Sequence, residues 1–127
     1  MVDLRSDEAR VLLDVAVLAI GHGFCSGAAE IISALESVRP GNEQLDVARM
    51  VLMLNTHEYE MAVEFADSEG KRRREDSGLI KVFKGLALLR LGRSDDARRC
   101  LSEVKSENRV VMELAKGLME HGMEFSN

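Results

Sequence analysis

The 127 residues carry 22 acidic against 17 basic side chains, a formal net charge of -5, which argues against a phosphate-backbone partner because nucleic-acid binding draws most of its affinity from cations. The length suits one domain that buries about two-thirds of the surface its unfolded chain exposes. Two cysteines without CxxC or framework spacing read as free, buried thiols in a reducing, cytoplasmic setting. One proline, one tyrosine and no tryptophan, with abundant Leu, Ala, Glu, Met and Arg, define an all-α protein. No run approaches the roughly 18 apolar residues that span a bilayer, so a soluble chain without membrane insertion is expected.

Seven helical segments follow in order. The first runs from Ser6 to Ile20, with Ser6 as N-cap and Asp7 and Glu8 at the positive end of the dipole. Its apolar run Val15 to Ile20 lacks the basic flank of a signal peptide, since Asp3, Asp7, Glu8 and Asp14 stand there instead, and it is read as part of the folded protein. Gly21 and Gly23 end it. Ser26 starts the second helix, with Ala28, Ile31, Ile32 and Leu35 at helical spacing, and Arg39-Pro40-Gly41 stops it. Asn42-Glu43 caps the third, which runs through Leu54. Thr56 with Glu58 starts the fourth, carrying Tyr59, Ala62, Val63, Phe65 and Ala66, and a polar loop covers Ser68 to Ser77. The fifth ends at Gly92, and Ser94 caps the sixth with Asp95 and Asp96 in its first turn. Ser106-Glu107 caps a seventh, whose pairs Val110/Val111, Leu114/Ala115 and Leu118/Met119 read as a single amphipathic face.

A period links these segments. Ala28, Ala62 and Ala97 are 34 and 35 residues apart, against 34 for the tetratricopeptide (TPR) repeat. In the register that gives Ala97 the small position of a repeat's second helix, Gly85 takes the close-contact glycine and Gly92 the inter-helix turn. A glycine inside a helix costs roughly 1 kcal/mol relative to alanine, so Gly85 signals close helix approach. Pro40 falls twelve residues after Ala28, and Tyr59 three before Ala62. The chain therefore resembles three degenerate TPR-like helix pairs, at about 6–38, 42–68 and 77–104, in a right-handed solenoid within a single domain. A terminal helix at about 107–124 resembles the cap that shields a solenoid's last repeat. Asp46 and Lys81 depart from the repeat's aromatic preference, and Arg49 and Lys84 from its leucine.

In a TPR stack the first helix of each pair lines a concave surface. The groove positions become Leu13, Val17 and Ile20; Val47, Val51 and Leu54; Val82, Leu86 and Leu89. All nine are apolar, which disfavours the Lys/Asn/Arg clamp for a partner's C-terminal carboxylate and suits the apolar face of an amphipathic helix. The competing reading makes them core, covered by neighbouring helices, by the terminal helix or by self-association. Ile80, Phe83 and Leu88, or Leu45, Ala48 and Met53, occupy other faces of the same helices, more apolar circumference than one packing partner would cover. Met50, Met53, Met61, Met112, Met119 and Met123 are flexible fillers, suited to a core or to an adaptable surface.

Other constellations carry little. Lys71-Arg72-Arg73-Arg74 is flanked by Asp67, Glu69, Glu75 and Asp76, so its field nearly cancels and it reads as a solvated loop. His22, His57 and His121 lack metal-ligand spacing, and no phosphate loop, nucleophile elbow or HExxH occurs. No enzyme activity, metal or cofactor is expected.

The small acidic chain with three degenerate units, the Arg39-Pro40-Gly41 break and the stretch GLALLRLGRSDDARRCL resembles the small TPR-like proteins of bacterial type III secretion over about Val11 to Val104. It is most similar to needle-subunit chaperones and their Hrp-type relatives. The resemblance implies a cytoplasmic virulence chaperone that holds the amphipathic helix of an export subunit, often with a second small helical co-chaperone, and blocks premature polymerisation. It implies contact through the nine groove residues; for the isolated chain, with its apolar groove unfilled, a homodimer is expected. The alternative from another class is a TPR-like adaptor or self-associating scaffold.

Overall fold

The computed structural model of the protein describes residues 6–38, 43–72, 78–106 and 108–121. Seven helices succeed one another with no strand among the described residues: α1 Ser6–Gly21, α2 Cys25–Val38, α3 Glu43–Asn55, α4 Tyr59–Arg72, α5 Gly78–Arg90, α6 Ser94–Ser102 and α7 Arg109–His121. The all-α class is observed. The Arg39-Pro40-Gly41 break, Arg73 to Ser77, and Met123 and Glu124 lie outside the described residues, as do the side chains of Lys71 and Arg72.

The helices form two compact units divided between His57 and Glu58. In the first, α1 packs on α2 and α3, and α2 on α3. In the second, α5 packs on α4, α6 and α7, and α6 on α7. The division falls between the two helices of the second expected pair.

Local geometry recurs along the chain. At the end of α1 the N–H of Phe24 bonds the Ala19 carbonyl at 2.8 Å and that of Gly23 bonds Ile20 at 3.0 Å; at the end of α5 the N–H of Arg93 bonds Leu88 at 2.9 Å and that of Gly92 bonds Leu89 at 3.0 Å. This paired closure satisfies the last helical carbonyls and needs a left-handed residue, supplied by Gly23 and Gly92 at φ 84° and 77°. After α3 the left-handed position is taken by His57 at φ 61°, whose N–H reaches the Leu54 carbonyl at 3.3 Å. These three residues are 34 and 35 apart. Five positions beyond each stand Ala28, Ala62 and Ala97, all fully buried. The alanine period is thus also a period of backbone turns.

The polar departures recur as well. Arg49 on α3 pairs with Glu36 and donates to Ser33 at 3.4 Å, both on α2. Lys84 on α5 pairs with Asp67 on α4 at 2.6 Å. Arg49 and Lys84 are 35 residues apart, Ser33 and Asp67 34 apart. Each long cation straps its helix to the preceding one, keeping its stem on apolar surface and its charge at the rim.

Gly85 serves close approach between α5 and α6: a Cβ there would lie 2.5 Å from Leu101 Cδ2 and 2.6 Å from its Cγ. Met50 and Ala66 stand 35 residues before this pair, and Ala16 and Ile32 a further 34 before. All six residues are buried, and Ala16 and Ile32 share one core cluster with Ile20, Ala28, Ala48 and Leu52.

Several caps differ from expectation. Thr56 Oγ1 donates back to the Leu52 and Met53 carbonyls at 3.0 and 3.2 Å, so it closes α3 rather than opening α4. Ser94 lies inside α6; Arg93 holds the N-cap position with no side-chain cap bond and instead donates from Nε to Asp96 at 3.0 Å. Asn108 caps α7, its Oδ1 accepting from the Val110 N–H at 2.9 Å, while Ser106 Oγ accepts from the Asn108 N–H at 3.1 Å.

Candidate functional site

The nine expected groove positions meet different fates. Ile20, Val82 and Leu89 are buried. Leu13, Val47, Val51, Leu54 and Leu86 are half-buried, and Val17 is exposed. Within the first unit, Leu13 and Val51 pack against the cluster that contains Ile20, so these three come together as core. Within the second, α5 is surrounded by α4, α6 and α7, which is why Val82 and Leu89 are buried on a helix apolar around most of its circumference.

The first unit closes less completely. Helix α1 has two neighbours within its unit, and Val15, Val17 and Leu18 are 44–64% exposed on it, with Phe24 68% exposed at the turn that follows. Leu18 lies opposite the buried stripe of Ala16 and Ile20, and Val15 and Val17 flank it at helical angles. Phe24 is held at the surface by the same hydrogen bond to the Ala19 carbonyl that ends the helix. Together these four side chains make the outward side of this stretch mainly apolar, with exposed Asp14 and His22 one turn either side of Leu18. Only Val17 of this group belongs to the expected groove. The signal for Val15 and Leu18 was the unbroken run Val15 to Ile20: six consecutive apolar residues surround a helix, and two neighbours cannot cover every side.

Helix α7 has a second uncovered face. Ala115 is buried and Val111, Leu118 and Met119 are half-buried, the expected position for a helix packed on α5 and α6. Val110, Met112 and Leu114 are exposed. Adjacent residues differ by 100° around a helix, so the pairs Val110/Val111 and Leu114/Ala115 each split between an inward and an outward face rather than forming a single one.

Titratable side chains cluster between α4, α5 and α6. The Cys100 thiol is buried and donates to the Lys81 carbonyl at 3.3 Å; burial pushes its pKa up against the opposing pull of Lys84. Burial alone would lower Lys84, but its hydrogen bond to Asp67 and the charge there outweigh it and hold the ammonium above its ordinary value. A thiol kept protonated in this way is a poor nucleophile. Cys25, expected to be buried, is half-buried, and both cysteines are free. Among the described residues no group of three or more His, Cys, Asp or Glu side chains could hold a metal ion, and no helix is long and apolar enough to cross a membrane.

No protein-family model matches the chain, and neither does any curated protein or solved structure.

Proposed function

We propose that the chain is a non-catalytic helix-binding protein whose three TPR-like helix pairs stack as a right-handed solenoid with α7 as its cap. In this reading it is a secretion chaperone that shields the amphipathic helix of an aggregation-prone subunit. Two observations support the repeat: left-handed turns at Gly23, His57 and Gly92, and the parallel straps of Arg49 and Lys84. The observation that carries the binding proposal is the exposed quartet Val15, Val17, Leu18 and Phe24, too apolar to be only a solvated helix face. An amphipathic partner helix presents apolar side chains at i, i+3, i+4 and i+7, the spacing that fits a ridge of this kind. The resemblance to needle-subunit chaperones supplies the particular guest, a type III export subunit, and the cytoplasmic setting.

The test is co-purification of the tagged chain from its native cell, followed by titration with a synthetic peptide carrying the captured partner's amphipathic helix. A peptide at 100 times its Kd should stabilise the chain by about 2.7 kcal/mol, raising Tm on the order of 10 °C at this length. Leu18→Asp and Phe24→Asp should abolish the shift while leaving helicity intact. Full peptide binding by both variants refutes the α1 patch as the site.

A further inference from the structure

The outward face of α7 carries a charge order that reads the same from either end with the signs exchanged. Arg109, Glu113, Lys116 and Glu120 lie within one narrow strip of the helix and alternate plus, minus, plus, minus. None of the four forms an ion pair with another described residue. Beside the strip run Val110, 73% exposed, and Leu114, one turn on. One turn further stands Gly117, where a Cβ would meet nothing within 4 Å.

We propose that this face pairs antiparallel with α7 of a second copy of the chain. Reversing the helix turns the charge order into minus, plus, minus, plus. Arg109 then faces Glu120 of the second copy, and Glu113 faces Lys116, while their symmetry mates repeat both pairs. The same arrangement brings Leu114 over the open backbone at Gly117 of the second copy, offset by about 3 Å from the charge register, within reach of flexible Lys, Arg and Glu side chains. A two-fold pairing needs this kind of self-complementary surface. A parallel pairing would set like charges side by side, and an uncharged guest would leave the strip without partners. The seam is short of the roughly 800 Å² per partner of a stable interface, so it specifies a weak, reversible dimer. This face is separate from the α1 patch and does not rest on the chaperone reading.

The experiment is sedimentation equilibrium of the full chain, from low micromolar to near-millimolar concentration, with circular dichroism of each variant as the folding control. The wild type should dimerise reversibly, more weakly in high salt. Leu114→Asp should weaken association at least tenfold, and Leu18→Asp should leave it unchanged. Glu113→Lys alone sets lysine against Lys116 across the two-fold axis, and Lys116→Glu alone sets glutamate against Glu113, so each should also weaken association at least tenfold. An equimolar mixture of these two variants should recover a heterodimer, which repair within one helix cannot produce. A wild type that stays monomeric, a Leu114→Asp chain that dimerises normally, or a mixture without heterodimer overturns the proposal.

Discussion

Replacing Gly85 with alanine sets two known magnitudes against each other. Alanine in a helix interior is favoured over glycine by about 1 kcal/mol, and an exposed site would realise that gain. At Gly85 the new Cβ would stand 2.5 Å from Leu101 Cδ2 and 2.6 Å from Cγ. The second atom is the branch point of the leucine, not its tip, and Leu101 is itself buried at 2% exposure. Relief must therefore come from moving α6 or forcing Leu101 off its rotamer, at the upper end of the about 1–3 kcal/mol that overpacking costs. The net expectation is a loss of about 1–2 kcal/mol, or a Tm lower by roughly 4–8 °C. Urea denaturation followed at 222 nm would measure it. In a Leu101→Ala background, where both crowding atoms are gone, the same Gly85→Ala change should become neutral or stabilising, with a coupling of at least about 0.5 kcal/mol between the two sites. If Gly85→Ala alone raises stability by the propensity difference, the close approach of α5 and α6 is wrong.

Asn108→Ala removes the side-chain oxygen that accepts the Val110 N–H and should cost about 1 kcal/mol, with faster amide exchange in the first turn of α7 than in α5; unchanged exchange there would refute the cap. Lys84→Met should alter stability by less than about 1 kcal/mol, because the pair with Asp67 is partly solvated and methionine keeps the apolar stem; a much larger loss would show that the strap governs the helix junction. Stability should be level from neutral pH to about pH 8.5 and fall above it: the Cys100 pKa is raised on folding, so unfolded thiols ionise first, and above about pH 10.4 the raised Lys84 pKa adds a loss of the same sign. Cys100→Ala should flatten the first part of that decline, and an unchanged slope would contradict the buried thiol. Labelling with a thiol reagent at pH 7.5 should modify half-buried Cys25 well before Cys100; equal rates would refute the burial difference.

Much of the helical layout was legible because it follows from short-range chemistry. Gly23 and Gly92 mark left-handed closures that a side chain resists, and the alanines five residues later must be small wherever two helices meet. Gly85 was legible for the same reason. His57 was not, because a histidine in the left-handed region is uncommon and nothing around it announces the turn. Ser94 and Ser106 were misplaced because the N-cap positions fall on Arg93 and Asn108, and Thr56 because a hydroxyl near a helix end can serve either the helix before it or the one after it. Which it serves depends on where the backbone turns. Arg49 and Lys84 looked like faults in the register because their partners, Glu36 and Asp67, belong to a different helix. Only the packed arrangement joins them.

The candidate site was harder to read than the fold because apolar periodicity records how much of a helix wants cover, not how many neighbours will provide it. Helices α1 and α5 are both apolar around most of their circumference. Helix α5 has three neighbours within its unit and buries Val82, Leu88 and Leu89 together. Helix α1 has two within its own, and keeps Ala16 and Ile20 inside while Leu18 stays 64% exposed. The difference lies in how many helices of its own unit pack against each. Helices α1 and α7 both leave large apolar side chains exposed, and the two faces differ in kind. The α1 patch is mainly apolar, with exposed Asp14 and His22 one turn either side of Leu18, a surface for a partner whose own apolar face sets the register. The α7 face interleaves Val110 and Leu114 with an alternating row of charges, which restricts its partners to a surface with the reverse order, and the chain itself supplies one.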